Sequence, residues 1–190
     1  MVLSRKGQFL LAFGLFALLV VSTINKCVAD EPLTTSADSS QTNPNSFEDS
    51  LIPDGFEQAR WEQFSKNILH SLVGDDSYAY LGLNPRFEFP ASSKPSAYAL
   101  APNRVVLSEG LIKEFKNRSE VAFVIAHELG HIVLKHTGSQ HNLIEPSGAW
   151  SEMVKREIEA DAFAVRLLEN SSFDPHKSID LLGRLSGLEI

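Results

Sequence analysis

Residues 119–136 read SEVAFVIAHELGHIVLKH, and this stretch decides the fold. Its apolar side chains recur around most of a helical circumference, which is typical of a helix buried on all sides. Ser119 is the predicted N-cap, and Glu120 follows in the first turn, where the helix dipole favours an acid. The stretch therefore predicts a buried central helix over Val121–His136.

Two histidines and a glutamate interrupt this apolar helix. His127 and His131 are four residues apart, so their imidazoles project from one face about one turn from each other and can share one zinc ion. Glu128 is offset by one residue, close enough to reach a zinc-bound water without being a ligand. The alternative is a pair of satisfied core histidines, but burying three such groups without a partner costs several kcal/mol, on the order of 2–7 each. The pattern favours a zinc site.

A third ligand is expected on a later helix, predicted over Glu152–Leu168. There Glu157 and Asp161 are again four apart on one face. Catalytic zinc takes three protein ligands and leaves a position for water, so Glu157 is the expected third ligand. Asp161 would accept a hydrogen bond from the outer nitrogen of a ligand histidine and fix its tautomer. Glu159 is expected to point elsewhere into solvent. Without the histidines, these acids would predict only a solvated helix face.

Two other residues of the central helix invite interpretation. His136 is nine residues after His127, about 180° around the helix, so it is expected to be a helix-end histidine rather than a ligand. Gly130 costs about 1 kcal/mol inside a helix, which indicates close approach of another segment.

The chain before the central helix mixes one amphipathic helix with short extended segments. From Phe56 to Gly74, apolar residues recur at helical spacing and predict a core-packing helix. Extended segments are predicted at Arg86–Phe89, Ala97–Ala101 and Arg104–Leu107, with prolines between them that suit edge strands better than a central one. Ser108 is predicted to cap a short helix. A final helix is expected from about Pro175 to Leu185. Long helices with few short strands predict an α+β fold.

Residues 1–54 differ in composition from the rest. A signal peptide is predicted over residues 1–29. The segment begins with basic residues, continues with thirteen apolar residues from Phe9 to Val21 and ends with small residues before position 30. Because spanning a bilayer takes about 20 apolar residues, an uncleaved anchor is the alternative. Residues 30–54 predict a disordered acidic linker, and residues 55–190 the folded domain. One cysteine in 190 residues excludes a disulfide framework, and a net charge of −7 argues against nucleic-acid binding.

Four blocks in order resemble a known family, the HtpX-like and CAAX-prenyl-protease-like zinc metallopeptidases, the forty-eighth metallopeptidase family, which are gluzincins. These blocks are the segment at residues 96–107, the helix containing HELGH, the Glu157-Ile-Glu-Ala-Asp161 helix and the Phe173-Asp174-Pro175 segment. The closest comparison is a small soluble secreted or periplasmic member. Two departures stand out: Met153-Val154 replaces the usual Ser-Arg, and a final His-Pro-Pro segment is missing. The oxyanion-stabilising residue is therefore open among His141, His176 and Arg184.

The resemblance implies a zincin-like fold with one zinc per chain, bound by His127, His131 and Glu157. Glu128 would take a proton from water and return it to the leaving amine. An edge strand would bind extended substrate by backbone pairing, and its residues are Ala97, Tyr98, Ala99 and Leu100.

The expected function is thus a zinc metalloendopeptidase that hydrolyses protein or peptide substrates, in cell-envelope quality control by analogy alone. It is expected to be periplasmic or secreted, with membrane contact only through an uncleaved N-terminus. A zinc-stabilised binding or chaperone-like module with little turnover is the alternative, and a subunit that needs a partner to complete its cleft is a third. The sequence leaves the oligomeric state open.

Overall fold

The computed structural model describes residues 52–81, 84–138 and 148–186. The predicted export segment, most of the linker and His141 lie outside these residues. The elements in chain order are helix α1 (Gln58–Leu81), strands β1 (Arg86–Glu88), β2 (Ala97–Leu100) and β3 (Arg104–Leu107), helices α2 (Glu109–Ile112) and α3 (Arg118–Val133), a 3₁₀ turn (His136–Gly138), and helices α4 (Gly148–Glu169) and α5 (Lys177–Ser186). The predicted α+β composition is confirmed.

The three strands form one sheet in the order β1-β3-β2. Strand β3 runs parallel to β1, with Val105 opposite Phe87, and antiparallel to β2, with Val106 opposite Tyr98. The edge-strand expectation is therefore right for β1 and β2 and wrong for β3. The prolines stand between the strands and none lies within β3, so its N–H groups are available on both sides. Its last three residues are buried, as a central strand requires.

Helix α3 is the centre of the domain, and every residue from Ser119 to Gly130 is buried. Its N-cap is Asn117 rather than Ser119, because the Asn117 side-chain oxygen accepts the Glu120 N–H at 3.0 Å. The Ser119 hydroxyl instead accepts the Asp174 N–H at 2.9 Å and joins α3 to the segment before α5. The helix also ends earlier than predicted, at Val133.

Helix α1 packs its apolar face on α3, which confirms that the apolar residues at helical spacing belong to the core. Trp61 is buried, and its indole N–H donates to the Gly55 carbonyl at 2.9 Å. Gly74 interrupts the helical backbone with φ 66° and ψ 172°, close to where the helix was predicted to end, but helical bonding resumes and continues to Leu81. Within the described ranges, no helix combines the length and apolar character needed to cross a bilayer.

Helices α3 and α4 approach each other at small residues. A Cβ placed on Gly130 would lie 3.1 Å from the Cα and 3.2 Å from the carbonyl oxygen of Ala160. The predicted close approach at Gly130 is thereby confirmed. Ala160 is one turn after Glu157 and next to Asp161, so this contact sets how both acids face the histidines of α3.

Candidate metal centre

His127 and His131 present their Nε2 atoms to each other on one face of α3. These two atoms are 3.0 Å apart, and the ring centroids are separated by 4.7 Å. The geometry follows from the four-residue spacing on a regular helix. Both outer Nδ1 atoms point away from this shared space, because each contacts a different residue.

Glu157 of α4 completes the group. Its Oε2 lies 3.4 Å from His127 Nε2 and its Oε1 lies 3.6 Å from His131 Nε2. One atom from each of the three residues falls within 4.8 Å of the others. Two imidazole nitrogens and one carboxylate oxygen match the donor set of a catalytic zinc site, so the residues fit the metal that the sequence predicts.

Asp161 supports His127 from behind. Its Oδ1 lies 2.9 Å from His127 Nδ1, and the carboxylate is buried. A carboxylate in this position keeps the proton of the neutral imidazole on Nδ1, which leaves the Nε2 lone pair free for a metal. This is the geometry expected for Asp161 from the sequence.

The charges in the group depend strongly on one another. Burial acts to lower the pKa of His127, but hydrogen bonds to Asp161 and Glu157 outweigh it and bring that pKa to about 10. Burial likewise acts to raise the pKa of Glu157, yet its hydrogen bonds to the two histidines hold the pKa well below its usual range. A metal at this point would take over the role of the imidazolium proton and would release it on binding.

Glu128 stands beside this group, buried, on the cavity wall. Burial raises the pKa of its carboxyl, while the two histidines work in the opposite direction. Its carboxylate accepts the backbone N–H of Ala99 from strand β2. The predicted base is thus held against the edge strand that is expected to bind substrate.

A cavity of about 300 Å³ joins these features. Its lining includes the two candidate ligand histidines, Glu128 and Glu157, and also Ala97, Tyr98 and Ala99 of β2. Leu100 belongs to the same strand but does not line the cavity. The rest of the lining consists of His136 and Thr137 and of the apolar residues Leu111, Val124, Leu181, Leu182 and Leu185.

The sequence interpretation missed His136 and Glu159. His136 was expected on the far side of a continuing helix, but α3 ends at Val133 and Lys135 has φ 59°, so the imidazole turns back. His136 Nδ1 lies 3.1 Å from His131 Nδ1. Glu159 is half exposed, as expected, but its Oε2 lies 3.3 Å from His136 Nε2 rather than only in solvent. No pattern marks Lys135 as the turning point, since it is neither Gly nor Asn.

Of the suggested oxyanion residues, Arg184 and His176 lie within the described ranges, and neither lines the cavity. The Arg184 guanidinium donates to Glu120 Oε2 at 2.6 Å and to the Glu114 carbonyl at 3.0 Å, which commits it to the end of α3 away from the histidines. His176 is exposed and is not among the lining residues.

A buried helix with two histidines one turn apart, and a glutamate from a second helix, is the arrangement of a metallopeptidase. Comparison with known proteins agrees. Residues 66–145 match the sequence model described as Peptidase family M48, and residues 119–179 match that of Peptidase U49. The chain is thus similar to peptidase family M48 over the segment that carries the first two candidate ligands.

One curated relative is the mitochondrial metalloendopeptidase OMA1 of Arabidopsis thaliana, which is 29% identical over 118 residues. The match covers 48% of this chain and 24% of the relative. The chain thus spans about a quarter of the length of that relative.

Proposed function

We propose that this chain is a zinc-dependent metalloendopeptidase that hydrolyses peptide bonds in protein substrates. The observation that carries the proposal is the convergence of His127, His131 and Glu157 within 4.8 Å, beside the buried carboxylate of Glu128. The relative named above is a metalloendopeptidase, which supports the same chemistry.

The proposed mechanism assigns one task to each group. Zinc supplies Lewis acidity, which polarises a carbonyl oxygen and makes water more acidic. Glu128 takes the proton from the attacking water at its carboxylate oxygen and later delivers it to the nitrogen of the leaving amine. The Ala99 N–H orients the carboxylate.

Strand β2 is the proposed substrate platform. The Ala99 N–H is already donated to Glu128. The Ser96 carbonyl accepts the Ser108 N–H across the sheet, so alternation along the strand turns both backbone groups of Ala97 and the carbonyl of Ala99 towards the free edge. An extended substrate can pair with those groups, as at any open sheet edge. The apolar residues of the cavity lining would then receive an apolar substrate side chain close to the scissile bond.

The place of action is proposed from the sequence. The pattern of residues 1–29 supports export to a periplasm or to the medium, or tethering by an uncleaved N-terminus. Quality control of cell-envelope proteins is the proposed role. The N-terminal mass of the protein recovered from cells decides between removal and retention of this segment.

A three-variant comparison tests the proposed activity. Purified wild type, Glu128→Gln and, as a matched control, Glu152→Gln are compared for bound zinc and for cleavage of an unfolded protein. Glu152 is an exposed acid on α4 that pairs with Arg156. Glu128→Gln should keep its zinc and lose about 100- to 10,000-fold in rate, while the control matches wild type. Equal cleavage by Glu128→Gln would exclude the mechanism. Zinc binding without turnover in wild type would favour the zinc-stabilised binding module.

A further inference from the structure

A chain of three polar side chains leads away from the proposed metal centre. His131 Nδ1 is 3.1 Å from His136 Nδ1, and His136 Nε2 is 3.3 Å from Glu159 Oε2. The His136 side chain is only 8% exposed, whereas Glu159 is 43% exposed. The two imidazole rings meet at 67° with centroids 5.2 Å apart, an edge-on geometry that suits a hydrogen bond between ring nitrogens.

The proposed zinc site fixes the direction of both hydrogen bonds. If His131 binds metal through Nε2, its remaining proton is on Nδ1 and must be donated. His136 Nδ1 is then the acceptor, so the proton of the neutral His136 ring is on Nε2. That N–H points at the Glu159 carboxylate, which accepts it. With the metal bound, both hydrogen bonds form only when His131 is protonated at Nδ1 and His136 at Nε2.

His136 is not placed to be a ligand itself. It contacts His131 at Nδ1, whereas His127 and Glu157 contact the opposite nitrogen, Nε2. The His131 ring therefore stands between His136 and the shared space of the three ligand atoms. The contact of His136 with the proposed metal centre is therefore made through His131.

We propose that His136, backed by Glu159, is a positioning residue that fixes the tautomer and ring orientation of His131 for zinc binding. The proposal rests on the proposed zinc site. It gives the two ligand histidines different supports. A buried carboxylate, Asp161, holds His127, whereas a neutral imidazole linked to a surface carboxylate holds His131. Partners of this type commonly change metal affinity by about 10–100-fold when they are removed.

The local backbone explains how a residue beyond the helix reaches back to it. The Leu134 N–H closes the last helical bond to the Gly130 carbonyl, and Lys135 then adopts φ 59°. The chain turns into the short 3₁₀ segment that begins at His136. The imidazole consequently lies over the last turn of α3, next to His131.

The test measures zinc affinity by chelator competition in five variants of the full chain, one of them a control. His136→Phe keeps a flat ring but removes the acceptor and should weaken zinc binding about tenfold or more. His136→Asn places an acceptor oxygen near the Nδ1 position and should restore most of the loss. Glu159→Ala should weaken binding by a smaller factor, and Glu159→Gln, which retains an acceptor oxygen, should restore it. Glu152→Ala, an exposed acid of the same helix, is the control and should bind as wild type does.

Two further measurements separate positioning from loss of structure. Thermal unfolding of the metal-free variants shows whether each one folds, and the Glu159 pair decides the question if His136→Phe does not fold. In zinc-loaded wild type, nitrogen-15 NMR of the imidazoles should show His131 protonated at Nδ1 and His136 at Nε2. Equal zinc affinity in His136→Phe and wild type, or a His136 proton on Nδ1, overturns the proposal while the zinc site stands. Absence of zinc binding in wild type overturns both.

Discussion

Replacing Gly130 by Ala tests whether the contact between α3 and α4 sets the position of Glu157. The new Cβ would meet Ala160 Cα at 3.1 Å, its carbonyl oxygen at 3.2 Å and Phe163 Cδ1 at 3.3 Å, whereas ordinary contact begins at 3.4 Å. Two of the three atoms belong to the backbone, so α4 itself must move by roughly 0.3 Å. Glu157 is one turn away on the same helix and must move with it.

Two effects of this substitution on stability oppose each other. Alanine is favoured over glycine inside a helix by about 1 kcal/mol. Overpacking of a close contact costs about 1–3 kcal/mol. The free energy of unfolding of the metal-free protein should therefore fall by about 1 kcal/mol rather than rise.

Zinc affinity should change more in this variant than the small change in unfolding free energy suggests. A shift of roughly 0.3 Å exceeds the tolerance of about 0.2 Å in metal–ligand distances, so we expect zinc binding to weaken about tenfold or more. Urea unfolding and chelator competition measure the two quantities. Adding Phe163→Ala should not restore binding, because the closest contacts are to the Ala160 backbone. A stability gain of about 1 kcal/mol with unchanged zinc affinity would refute this reasoning, since helix propensity alone predicts that result.

Three other predictions concern caps, the buried ion pair and the metal. Arg184→Met leaves the buried Glu120 carboxylate without its cation and should lower the free energy of unfolding by about 2 kcal/mol, less than for a fully buried pair. Burial already raises the Glu120 pKa, and losing Arg184 raises it further, so Glu120 carries less charge at pH 5 than at pH 8. The loss of unfolding free energy in Arg184→Met should therefore be larger at pH 8 than at pH 5. An equal loss at both pH values, measured by urea unfolding, would contradict this prediction. Asn117→Ala should lower the free energy of unfolding by about 1 kcal/mol, because it removes the N-cap of α3. Ser119→Ala should instead weaken the protection of the Asp174 amide from hydrogen exchange. The reverse pattern would show that Ser119 is the cap. Zinc at about 100 times its dissociation constant should raise the free energy of unfolding by about 2.7 kcal/mol in wild type and by much less in Glu157→Gln, and equal gains would remove Glu157 from the ligand set.

The parts of this molecule that follow from local spacing could be predicted from the sequence. Helical periodicity alone places His127 and His131 on one face of a helix. It does the same for Glu157 and Asp161. The burial of α3 follows from apolar residues around most of its circumference. Spacing along the two helices therefore predicts which three residues are the candidate ligands.

The remaining features depend on contacts between distant residues. Asn117 and Ser119 are both capable caps, and the choice depends on an Asp174 amide 55 positions away that uses the Ser119 hydroxyl. Strand β3 becomes central because it pairs with β1 in parallel, which local alternation does not reveal. The return of His136 depends on a single left-handed residue, Lys135, whose type gives no hint of it.

The ligand atoms of the proposed zinc site come from two helices that are separated along the chain. In chemical terms, zinc would be a removable cross-link between His131 of α3 and Glu157 of α4. Because the unfolded chain does not hold the two ligands together, this cross-link stabilises only the folded arrangement, by an amount that grows with the concentration of free zinc. A chelator would therefore do more than stop catalysis. It would remove the link between the two helices and leave their contact at Gly130 and Ala160 to keep Glu157 close to the histidines.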